Sequence, residues 1–347
     1  METIKSPPPS LIVRELADFD EFHDLFGAWG GQFQQTSRGR FSGAAAIYAG
    51  LSVRAFRATT NQAIFTRGLD QSDLVTVIPI TEDNENTFWR GRQLTKGNLL
   101  VKGPDVEYYN QTSRNTIIQA LLVPLQTFRS IVGPIADVMV GHKSSTSIAL
   151  QPSGEAMQRF QVSLEALVTA PGPVHRRNAE VMERACLDDL LACLFSSNTD
   201  TGIKKLAAKR LELIDAALDL MNQRIDKGLK SENLCITLQV NDRMLRRIFK
   251  RAFGSGPMAM HRLLRLNRFR HELKSARGSD QTVATLAHHC GFSRMGALAA
   301  EYKTQFGEFP SETLGVRGRL GIQRTVRQER ANSQHECLGD LQPPMPV

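Results

Sequence analysis

The strongest constraint on the fold is a pattern that occurs twice. "ENLCITLQVNDRMLRRIFKRAFGSGP", from Glu232, and "TVATLAHHCGFSRMGALAAEYKTQFGEFP", from Thr282, both read as a short apolar helix, a tight turn and a second, capped helix ending in Phe-Gly-x-x-Pro. In the first, Leu234 and Leu238 mark the short helix, Gln239 and Val240 the turn, and Asn241 the N-cap. In the second, Val283, Leu286 and Ala287 lead to a turn at Cys290 and Gly291, with Ser293 as N-cap. Helix, turn and capped helix make a helix-turn-helix, whose second helix fits a DNA major groove. Between the copies, "PMAMHRLLRLNRFRHELKSA" reads as a longer helix opened by Pro257, with Met260, Leu263, Leu266, Phe269 and Leu273 facing inward. One helix joining two such readers would set them in successive grooves, about 34 Å apart.

Charge points the same way. After Asn241, Met244, Leu245, Ile248, Phe249 and Ala252 share one helical face, and Arg243, Arg246, Arg247, Lys250 and Arg251 crowd the other. A merely solvated face mixes acidic and basic residues at i and i+4, and this one does not. From Asp242 to Arg277, eleven basic residues face only Asp242 and Glu272, a net +9 in a chain whose total is +8. The basicity reads as one local patch for a polyanion, either nucleic acid or an anionic membrane.

Residues 204–314 resemble the C-terminal domain of the AraC/XylS family of bacterial transcription regulators. The resemblance rests on the duplicated helix-turn-helix, "LRRIF" in the first copy and "R-L-x-R" at Arg265 to Arg268. It extends to "A-x-x-x-G-F-S" from Ala287 to Ser293 and "F-G-x-x-P-S" from Phe306 to Ser311. More loosely, residues 20–135 resemble the cupin-type sensory half found in that family, including its divergent form in ethanolamine-utilisation regulators. The resemblance implies a promoter-binding activator or repressor, often a homodimer, that acts with RNA polymerase and senses a small effector.

On that basis Arg243, Arg246 and Arg247 occupy positions that contact bases in similar proteins, where the guanidinium fork matches guanine O6 and N7. Lys250 and Arg251, farther along, are expected on phosphates, and a plain phosphate contact stays open for each arginine. The second copy departs from the family pattern. Its helix presents Arg294, Met295, Gly296, Ala297, Ala299 and Ala300, so only Arg294 keeps a fork and Met295 offers at most contact with a thymine methyl. That reader is expected to dock on the backbone, helped by Lys303.

The fold class expected is α+β in two domains: an N-terminal β-barrel, cupin-like, with trailing helices, and an all-α C-terminal domain with two helix-turn-helix units. Short β-favouring runs fill residues 40–127, and helical periodicity follows. The boundaries read as a flexible tail 1–10, a sensory and dimerisation domain 11–195, a linker 196–203, the DNA-binding domain 204–314 and a basic disordered tail 315–347. Leu187, Leu190, Leu191 and Leu194 form an apolar face that either packs on its own domain or makes a dimer.

Arg54, Arg57, Arg67, Trp89 and Arg90 could hold a carboxylate effector, or could be outward strand charges. No histidine lies between residues 24 and 141, which argues against a metal-dependent cupin enzyme; no metal, cofactor or catalytic residue is expected. Five scattered cysteines without a C-x-x-C pair fit reduced thiols, and the absence of a leader or a long apolar run fits a cytoplasmic protein with no membrane partner. A cupin-type enzyme, or a nucleic-acid-binding protein without sequence preference, are the alternative readings.

Overall fold

The computed structural model describes residues 8–315 apart from 28–30, 70–72, 82–86, 91, 105, 141–146, 170–174, 198–204 and 228. Most of the expected tails and linker therefore lie outside the described residues.

The N-terminal part begins with β1 (Ser10–Leu16), which starts within the stretch expected to be flexible, α1 (Phe19–Gly27) and β2 (Gly31–Gln35). Then come β3 (Gly43–Ala49), β4 (Arg54–Thr60), β5 (Ile64–Leu69), β6 (Leu74–Pro79), β7 (Phe88–Trp89), β8 (Arg92–Gln93), β9 (Leu99–Lys102), β10 (Glu107–Gln111) and β11 (Thr116–Pro124). After these follow α2 (Leu125–Val132), α3 (Ile135–Val140), β12 (Ser147–Leu150), α4 (Gly154–Thr169) and α5 (Arg176–Ser196). The C-terminal part is helical: α6 (Lys205–Gln223), α7 (Ser231–Leu238), α8 (Asp242–Phe253), α9 (Pro257–Ser275), α10 (Val283–His289), α11 (Met295–Phe306) and α12 (Pro310–Leu314).

The two-domain α+β expectation holds, but the described strands do not close into one barrel. They form two antiparallel sheets, one of seven strands in the order β1-β3-β4-β11-β6-β9-β12 and one of five in the order β2-β5-β10-β7-β8. β4 is covered on both faces: Ala55 belongs to the core under α2 to α5, and Ala58, on the opposite face, to a second core with Phe19, Phe22 and Phe41. The larger sheet shares its core with α2 to α5, through Val77, Val101, Leu121, Phe128, Phe160 and Leu190. α5 is held there by a buried acid as well. Glu183 accepts bonds from the Tyr48 hydroxyl (2.8 Å), the Leu51 amide (2.8 Å) and the amide and hydroxyl of Ser52 (2.7 and 2.5 Å). A carboxylate so bonded needs no cation to tolerate burial.

Candidate nucleic-acid interface

α8 is a strongly amphipathic helix, as its sequence dictates. Leu245, Ile248, Phe249, Ala252 and Phe253 are buried, while Arg243, Arg246, Arg247, Lys250 and Arg251 are all exposed. Asn241 is the N-cap, its side-chain oxygen accepting the Met244 amide at 2.8 Å. Asp242 in the first turn accepts from the Ser231 hydroxyl (2.5 Å) and from Arg246 Nε (2.6 Å). The serine bond, then Arg246, hold its carboxyl below the usual range. Arg246 is thus tethered to its own helix, and Lys250 donates to the Gly254 carbonyl at 2.7 Å. Among the described residues Arg243, Arg247 and Arg251 have no acidic partner, so three unengaged forks stand on this one helix. The turn before it places Gln239 in the left-handed region, at φ 53°.

In the second reader Thr282 caps α10 by accepting the Thr285 amide at 3.1 Å. Gly291 sits at φ 72°, and a Cβ there would lie 2.5 Å from the Asp226 carbonyl, so only glycine fits. α11 starts one residue later than expected. Arg294, in extended conformation, is the N-cap and makes no side-chain cap bond. Ser293 is therefore outside the helix and does not cap it. Arg294, Gly296, Ala297, Ala300 and Lys303 are exposed, and Met295 is half-buried against the core of its own reader. The Lys303 ammonium lies 4.1 Å from the centroid of the Phe309 ring.

The +9 patch requires correction. Six of its cations, on α9 and just beyond, have partners inside the protein. Arg262 is paired with Glu301, and Arg268 donates to Glu272 at 2.7 Å. Arg265 donates to the Cys290 carbonyl at 3.0 Å and to the Gly291 carbonyl, its guanidinium 4.3 Å from the centroid of Phe292. Arg277 Nε donates to the Thr313 carbonyl at 2.7 Å. Arg270 and Lys274 meet Asp18 and Asp20 of the N-terminal domain, at 2.5 to 3.2 Å. Counting charges along a chain cannot see such partners, because they come from other turns and from the other domain.

The residues weighed as an effector site do not converge. Arg54 is exposed, and Arg57 pairs with Glu165 of α4 at 3.4 Å beside an open groove. Arg67 reaches Glu107 and Asp219, each at 2.7 Å. Arg90 stands at φ 47° with its Nε buried and unpartnered. Trp89, stacked on Tyr108 at 5.3 Å, is the member of the set that lines the cavity between the sheets, together with Ile78, Leu100, Asn110, Thr112 and Ile118. That cavity is about 60 Å³, room for a few atoms. Among the described residues no three His, Cys, Asp or Glu side chains gather as metal ligands, and no helix is long and apolar enough to cross a membrane.

Residues 234–315 match the family model described as a helix-turn-helix domain. Over 29% of its length the chain is 28% identical to the probable thc operon regulatory protein of Rhodococcus erythropolis, covering 31% of that protein. It is 24% identical to the XylDLEGF operon transcriptional activator 2 of Pseudomonas putida, over 29% of this chain and 65% of that one. A solved structure of a transcriptional regulator with an AraC-type DNA-binding domain, from Chromobacterium violaceum, is 27% identical over 33% of this chain and 99% of its own, at a TM-score of 0.29. The chain thus spans about a third of the length of the first of these curated relatives, and the family model falls on the two readers. Residues 234–315 are thus a helix-turn-helix domain, and the region is similar to DNA-binding regulators of the AraC/XylS type.

Proposed function

We propose that the whole protein is a sequence-specific transcription regulator that binds promoter DNA in the cytoplasm as a homodimer and engages RNA polymerase there. In this reading α8 supplies base contacts through Arg243 and Arg247, with Arg246 alternating between Asp242 and DNA. Lys250, Arg251 and Lys303 bind phosphates, and Arg294 and Met295 add little base discrimination. The N-terminal domain, cupin-like in its two-sheet form, would carry the effector response, with Trp89 at the cavity the best placed of the candidate residues. The observation that carries the reading is the capped helix α8, whose buried face is complete and whose exposed face is a row of cations without carboxylate partners beyond Asp242.

Selection of bound duplexes from random-sequence DNA tests it. Arg247→Ala should relax preference at one or two base positions and cost about 1–3 kcal/mol on the selected site. Lys250→Ala should weaken selected and random duplexes alike and make the salt slope shallower by about one unit. Met295→Ala should leave the selected motif nearly unchanged. A motif scrambled more by Met295→Ala than by Arg247→Ala would reverse the assignment of the two readers, and binding of every duplex alike would remove the claim of sequence specificity.

A further inference from the structure

The N-terminal domain touches α6 through Arg67 and Asp219, and beyond that it touches each reader and the helix between them. On the first reader, the Phe253 ring at the end of α8 stands edge-on to Phe65 of β5 at 5.4 Å, and 5.6 Å from Tyr109 of β10. On the second, Gln305 of α11 exchanges bonds with the end of β2 and the segment after it. Its side-chain amide donates to the carbonyls of Gln35 (3.1 Å) and Ser37 (3.0 Å), and its carbonyl accepts the Gly39 amide (3.0 Å) and the Gln35 side chain (2.9 Å). On α9, Asn267 pairs with Gln35 as a strand would, accepting its N–H at 3.0 Å and donating to its carbonyl at 3.1 Å. One turn further on, Arg270 is buried and bonded at once to Asp18 (2.9 Å), Asp20 (3.2 Å) and Glu308 (2.6 Å).

None of these contacts covers the side chains expected at DNA. Arg243, Arg247, Arg294 and Lys303 are exposed with the two domains docked. Each reader packs on its own end of α9, the first through Leu245, Phe249 and Leu264, the second through Phe269, Leu298 and Tyr302, so within the DNA-binding domain the two readers are joined through α9, whereas the N-terminal domain touches both.

We infer that the N-terminal domain is a clamp that sets the separation and tilt of the two readers, with Gln35, Asn267 and Gln305 as its positioning residues and Arg270, between Asp18 and Asp20, as its ionic anchor. The inference rests on the DNA-binding reading and adds to it that both halves of the chain build the reading surface. Fixing two modules in advance raises the effective concentration of the second once the first has bound. Anything that moves α1 or the segment after β2, an effector included, then changes reader spacing without touching DNA.

The test uses the full chain, the duplex selected by the wild type, and the same duplex with one half-site scrambled. Asp18→Asn with Asp20→Asn, and separately Asn267→Ala with Gln305→Ala, should lose about tenfold on the intact duplex while binding the scrambled one as the wild type does. Both should also tolerate one base pair inserted between the half-sites better than the wild type. The second pair of substitutions decides the matter should the aspartates prove necessary for folding. Variants that match the wild type on both duplexes, weaken equally on both, or bind both more tightly overturn the clamp while the DNA-binding reading stands. A wild type that selects no duplex overturns both.

Discussion

At the level of single residues, identity and role come apart most clearly in the arginines. Arg247 and Arg265 look equivalent in the sequence, each in a basic helix, yet one faces solvent and the other ties α9 to the turn of the second reader through the carbonyls of Cys290 and Gly291. Arg265→Ala leaves those carbonyls short of a donor, which costs about 1–3 kcal/mol and should lower the melting temperature. Arg247→Ala should leave melting unchanged and weaken DNA binding. Thermal melting of the two variants checks this; an Arg265→Ala protein that melts like the wild type but binds DNA poorly would return Arg265 to the DNA surface. Asn241 was legible as a cap because its side chain satisfies a helix N-terminus only three residues long in reach. Ser293 misled because the same residue type also sits one position outside a helix, and only the backbone angles of Arg294 decide which.

Among elements, the hydrophobic strands between residues 40 and 127 and the helices after them were readable, whereas β1, α1 and the polar strands were not. β2 reads GQFQQ and β10 reads EYYNQ, which resemble loop sequence, and in β2 part of that polarity is matched by the other domain. Gln35 is buried beneath α9 and α11, where polar atoms are required to meet Asn267 and Gln305. For α5 the element was clear and its orientation was not. Leu190 and Leu194 are buried in the core of their own domain, and Leu187 and Leu191 are half-buried against it, so those four residues are largely occupied. The exposed strip of α5 carries Val181 and Phe195, both 66% exposed, with Arg184 and Asp188 between them. The two exposed apolar side chains of this strip offer a surface to a second copy, so the proposed dimer is expected there. Val181→Asp with Phe195→Asp should sediment as a folded monomer, whereas Leu190→Asp should unfold the domain. A double variant that still sediments as a dimer would place the interface elsewhere.

For the molecule as a whole, the sequence told of two halves and said nothing of how they meet, because the contacts pair residues more than a hundred positions apart. One such contact has a pH signature. Burial of Asp215 on α6, then the charge of Glu107, push its carboxyl up to about 6 from the usual 3.8, against the pull of Arg67 and Arg90. Between those values the folded chain keeps a proton that the unfolded chain releases, so stability falls as pH rises across that window, and the charged form above it is a net cost. Asp215→Asn should therefore melt higher than the wild type at about pH 8 and indistinguishably below about pH 4. Equal melting at both would show that docking does not bury this carboxyl. The seat of Phe253 between Phe65 and Tyr109 has a practical consequence too. Neither half of the chain is a finished surface: each carries the apolar lid of the other, so cutting in the linker bares aromatic rings on both pieces at once. A DNA-binding half expressed alone will be stickier than the intact protein, and its poor solubility will reflect a missing cover rather than a failure to fold.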